Sequence, residues 1–130
     1  MKEILETLKE IIYSLEKGKS PFLLCALFLR EEGLGRWDLI LSATWLKADE
    51  LDSYSLINSK LKDCLNDLQR NKISHVVILD SSDRTVQFLL ERERLENGGY
   101  KEFPQIDCEE LTERFGFTIK KAYLLRSQKG

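Results

Sequence analysis

The chain has 130 residues, 42% hydrophobic and 32% charged, proportions near globular averages that exclude a disordered or fibrous chain. With 20 Lys and Arg against 22 Asp and Glu, the formal charge of −2 gives no net field toward phosphate backbones or anionic membranes. The expectation is a single domain over residues 1–130, built around one core.

The longest apolar run, Pro21 to Leu29, is far short of the ~20 residues that span a bilayer. Met1 leads into an acidic amphipathic stretch rather than a signal peptide, so a cytoplasmic protein with no membrane partner is expected. Cys25, Cys64 and Cys108 are odd in number and far apart, which suits reduced thiols serving as small core residues.

From Lys2 to Lys17, Ile4, Leu5, Leu8, Ile11, Ile12 and Leu15 recur at helical spacing and Gly18 ends the pattern, predicting a one-faced helix. Phe22 to Leu29 is almost wholly apolar and too short for a free-standing helix, so it reads as a central strand covered on both faces. A turn over Glu31–Gly35 follows. Trp37, Leu39, Leu41, Ala43 and Trp45 then alternate with Asp38, Ile40, Ser42 and Thr44, the pattern of an antiparallel hairpin partner.

Between Asp52 and Gln69, Tyr54, Ile57, Leu61, Cys64, Leu65 and Leu68 predict a second helix, with Asp52 or Ser53 as N-cap. His75 to Leu79 reads as a buried strand feeding, through Asp80-Ser81-Ser82-Asp83, a helix from Arg84 to Glu96 that stops at Asn97-Gly98-Gly99. Asp107 with Glu110 resembles a capping box for a short helix ending at Gly116, and Phe117 to Leu125 reads as a last strand. The sum is α-β-β-α-β-α-α-β. The predicted fold class is therefore α/β or α+β, a mixed sheet of about four strands flanked by helices.

Chemistry is expected first at Asp80, Ser82 and Asp83, because open α/β sheets place ligands just past the carboxyl ends of their strands. Carboxylates and hydroxyls there suit a hard cation such as Mg²⁺, with Asp38 joining if the second and third strands are neighbours. The same residues also suit a turn and a helix cap. The two aspartates are separated by two residues, whereas phosphatases of the haloacid dehalogenase type separate theirs by one, and Arg84 stands where an Asp-x-Ser-x-Ser metal motif needs its last hydroxyl.

His75, the lone histidine, offers an imidazole that could ligate a metal or haem iron, but no Cys-x-x-Cys-His pattern accompanies it. Nothing singles out a Ser, Cys or Thr nucleophile for it to activate. Asp38 invites comparison with nucleases that follow a strand aspartate by Glu-x-Lys, a pattern missing here. Gly18-Lys19-Ser20 lacks the earlier glycine of a phosphate loop, since Tyr13 occupies that place. Trp37 and Trp45 make a base-stacking platform only if their face is open, and Leu39 and Leu41 on that face argue for a covered core. Lys120, Lys121, Arg126 and Lys129, with Arg92 and Arg94, read as solvated faces, so a nucleic-acid partner is unsupported.

Leu27-Phe28-Leu29-Arg30-Glu31-Glu32, Arg36-Trp37-Asp38-Leu39 and Ala122-Tyr123-Leu124-Leu125-Arg126 resemble segments of small bacterial proteins of unknown function, a resemblance that implies strand cores and no activity. Two functional expectations follow. The preferred one is an interaction or homodimerising module, without enzymatic chemistry and with no indicated cofactor. The alternative is a ligand-binding or metal-dependent enzyme acting on phosphate esters or nucleic acids, with its site after the third strand.

Overall fold

The computed structural model describes residues 1–95 and 99–128. In chain order these form α1 (Lys2–Glu16), β1 (Leu24–Arg30), a 3-10 turn (Glu31–Gly33), β2 (Trp37–Ser42), α2 (Leu51–Cys64), a short α3 (Asp67–Arg70) and β3 (Ile73–Ile78). They continue as α4 (Arg84–Arg92), a two-residue β4 (Lys101–Glu102), α5 (Gln105–Phe115) and β5 (Ile119–Ser127). The strands make one mixed sheet in the order β3-β2-β1-β5-β4. The expected class is the one observed, with β4 and α3 added to the predicted order.

The apolar run of β1 fixes the centre of the sheet. Cys25, Leu27 and Leu29 pair with Leu41, Leu39 and Trp37 of β2 on one face, and Ala26 and Phe28 pair with Ile40 and Asp38 on the other. On the first face the buried stripe of α1 (Ile4, Leu5, Leu8, Ile11, Ile12, Leu15) and Ile57 and Leu61 of α2 complete a core. On the second, Val86, Leu89 and Leu90 of α4 join Cys108 and Leu111 of α5 over Leu24, Ala26, Phe28, Ala122 and Leu124. A strand clad this way is apolar from Leu24 to Leu29, because each side chain there turns away from water whichever way it points. Among the described residues no helix is long and apolar enough to cross a membrane.

Several local expectations change. The predicted second helix breaks at Leu65, and Asn66 caps α3 through a capping box with Gln69, leaving Leu68 and Cys64 exposed. Neither Asp52 nor Ser53 caps α2; the Ser53 hydroxyl instead accepts from the Lys47 amide at 3.0 Å. Asp107 lies inside α5, whose N-cap is Pro104, so it is a buried partner of Arg92 (3.4 Å) rather than a capping residue. Gly116 does end that helix, at a left-handed φ of 78° that favours glycine. β2 ends at Ser42, so Trp45 leaves the strand and its indole N–H donates to the Ser20 carbonyl at 2.6 Å, while Trp37 is buried. No stacking platform forms from that pair.

α4 ends at Arg92, and Leu95 is already paired with Ser127, so the predicted helix end at Asn97 and Gly98 lies outside the described residues. β3 is an edge strand, half-buried except at exposed His75 and buried Ile78, where a buried strand was expected. Its parallel pairing to β2 through α2 is the predicted strand-helix-strand unit.

Candidate functional site

The amino ends of β2 and β3 gather the polar side chains of this sheet. Parallel register sets Asp38 beside His75, and Arg30 ends β1 on the other side of Asp38. The Asp38 side chain is only 7% exposed, and a carboxylate taken out of water is strongly unfavourable unless paired. It is paired twice, with Arg30 Nε 3.0 Å from Oδ2 and His75 Nδ1 3.2 Å from Oδ1. The Arg30 guanidinium also lies over the Phe117 ring, 4.7 Å from its centroid.

His75 Nδ1 lies 3.3 Å from Arg30 Nη2 and 3.1 Å from the Ser74 hydroxyl. It therefore faces an acceptor in Asp38 and a donor in Arg30. A neutral imidazole has two arrangements here. Protonated on Nδ1 it donates to Asp38 and presents a lone pair at Nε2; protonated on Nε2 it accepts from Arg30 and presents an N–H. The ring is 60% exposed, so either form reaches solvent.

Two concavities flank this point. On the α5 side a cavity of about 220 Å³ is lined by Arg30, Asp38, Ile40, His75, Val77, Phe115 and Phe117. Its walls are aromatic: Phe115 and Phe117 lie 5.5 Å apart, and Phe28 meets Phe115 edge-on. On the α2 side a groove of about 280 Å³ runs along β3 from Ile73 to Val76. Its opposite wall is the stripe Asn58, Leu61, Lys62 and Leu65, the spacing that puts four residues on one helix face, and Arg70 closes it.

The free side of β3 forms the floor of that groove. The Leu79 amide donates to the Leu41 carbonyl at 2.9 Å, and strand alternation counted back from it turns the N–H and C=O of Val76 away from β2, as far as the bulge opposite Trp37 and Asp38. Among the described residues no backbone group bonds Val76 from the outer side. Lys62 has no ion pair among the described residues, and the buried Arg70 Nε has no hydrogen-bond partner there, although Arg70 Nη2 holds Asp67 at 2.6 Å.

The residues singled out from sequence divide between the two ends of β3. Asp38 and His75 meet at its amino end. Asp80, Ser82 and Asp83 follow its carboxyl end, and from His75 to Asp80 the chain advances roughly 16 Å. There Asp83 caps α4 by accepting from the Thr85 amide at 2.8 Å, its own N–H donates to the Asp80 carbonyl at 2.9 Å, and Asp80 and Ser82 are exposed. Among the described residues no group of three or more His, Cys, Asp or Glu side chains is placed to hold a metal ion. Burial pushes the Cys25 thiol up, with Arg126 opposing, and raises Cys108, where Asp107 adds to it, so both stay protonated.

Arg30, Phe115, Phe117, Lys62 and Arg70 are site residues that sequence reasoning passed over. Arg30 alone carried a signal: a charge ending an apolar strand, across a short turn from the opposite charge of Asp38. Compared with protein-family models, curated proteins and solved structures, the chain matches none.

Proposed function

We propose that the protein is an interaction module whose β3 edge takes up an extended, acidic segment of a partner protein as an added strand. The observation that carries this reading is the free main chain of Val76, beyond the bulge at Ser74, facing the Asn58-Leu61-Lys62-Leu65 stripe of α2. In strand addition, main-chain hydrogen bonds supply affinity and side-chain pockets supply selectivity. Leu61 and Leu65 offer apolar surface to a partner side chain, and Lys62 and Arg70 offer charge to a carboxylate. Among the described residues no acidic side chain lines the groove. A second copy of this chain brings an equally cationic groove, so symmetric β3-to-β3 pairing sets like charges together; an unlike, acidic partner is favoured.

Selection of displayed random peptides on the full chain tests the reading. Selected peptides are expected to be rich in Asp and Glu and to lose about tenfold in affinity against Lys62→Glu, the weight of a charge-assisted hydrogen bond. Peptides that ignore both Lys62→Glu and a proline at Val76 contradict it, as does a concentration-dependent homodimer that Val76→Pro dissolves.

A further inference from the structure

We infer that the cavity between Arg30, His75, Phe115 and Phe117 is a binding site for a small planar aromatic carboxylate. The argument is independent of the β3 groove and rests on which polar groups are already engaged. Both Asp38 oxygens are held, one by Arg30 Nε and one by His75, and the carboxylate is 7% exposed. Of the groups left to meet a ligand, the Arg30 guanidinium is always a donor, and His75 Nε2 donates in the arrangement protonated there. Arg30 Nη1 has no partner among the described residues, and His75 Nε2 has none there either.

Asp38 and Phe117 fix the guanidinium from two sides, one by an ion pair and one by a ring face, so little ordering cost falls on binding. The planar edge of a guanidinium matches a carboxylate in shape and charge. Beyond that polar end the lining is apolar: Ile40 and Val77 form the floor, Phe115 and Phe117 the walls. A volume of about 220 Å³ is smaller than the ~300–1,000 Å³ of sites for drug-sized ligands, which points to a single ring.

The test is a titration of the full chain with benzoate, followed by NMR at the Arg30 side-chain N–H, the His75 ring protons and Phe117. Saturating shifts at all three are expected. Benzyl alcohol keeps the ring without the charge and acetate the charge without the ring; each is expected to bind about tenfold more weakly or worse. Arg30→Lys keeps a cation beside Asp38 but loses the planar edge and the stacking, so the folded variant loses benzoate binding by about tenfold as well. Lys62→Glu leaves it unchanged, which separates failure here from failure of the groove. Shifts that stay linear, equal binding of benzyl alcohol, or an unaltered Arg30→Lys overturn the inference.

Discussion

The two edges of the sheet are built differently. At the β4 edge, Leu95 exchanges both backbone hydrogen bonds with Ser127 at 2.8 and 3.0 Å, and the Phe103 amide donates to the Ala122 carbonyl at 2.8 Å. The strand itself is two residues long and charged, with Lys101 held to Glu93 at 2.5 Å, and Phe103 plugs into the second core. Short, charged, pinned edges are how sheets avoid joining other sheets. The β3 edge has six residues, Ile73–Ile78, without Lys, Glu or Pro. The contrast teaches where this fold remains available for pairing: one edge is closed by sequence, and the other is left open beside a cationic helix stripe.

The comparison is broken most severely by unplugging the closed edge. Phe103→Ala is expected to cost about 3–5 kcal/mol, the usual price of an emptied aromatic core position, measured by urea denaturation. A loss under about 1 kcal/mol would mean that the β4 edge is not anchored as described. Next comes the anchor on the β3 side. Arg30→Leu leaves the Asp38 carboxylate with His75 alone, and since Arg30 is 27% exposed, water softens the loss to about 1–3 kcal/mol.

Val76→Pro sharpens the contrast by affecting stability and binding unequally. Its N–H points away from β2, so proline deletes no ladder bond and stability should fall by no more than about 1 kcal/mol. Binding of a selected peptide should be lost. The smallest effect is on reactivity rather than stability. With an aromatic disulfide reagent under native conditions, Cys64 is expected to react promptly, while Cys25 and Cys108, buried and with raised thiol pKa, react only on unfolding.

The framework was legible where one local pattern dictates one environment. The α1 stripe, the apolar β1 and the alternating start of β2 each announced their faces, because burial acts on every residue in turn. α2 was misread because Leu61, Leu65 and Leu68 keep helical spacing across a break that only the Asn66–Gln69 capping box marks. The run from His75 to Leu79 could not reveal an edge strand, since apolar runs are alike in the middle of a sheet and at its rim. Asp38 and His75 were each named from sequence, yet their meeting depends on the β2–β3 register and on Arg30. The groove was invisible for the same reason: Lys62 and Arg70 face β3 only through the packing of α2 across it.

Residue-resolved amide exchange at β3, with and without a selected acidic peptide, tests the central claim most directly. In the free protein, Val76 is expected to exchange fast while His75 and Val77, bonded to β2, are protected; the peptide should protect Val76 as well. Peptide binding that leaves the Val76 amide exchanging as before would contradict the account.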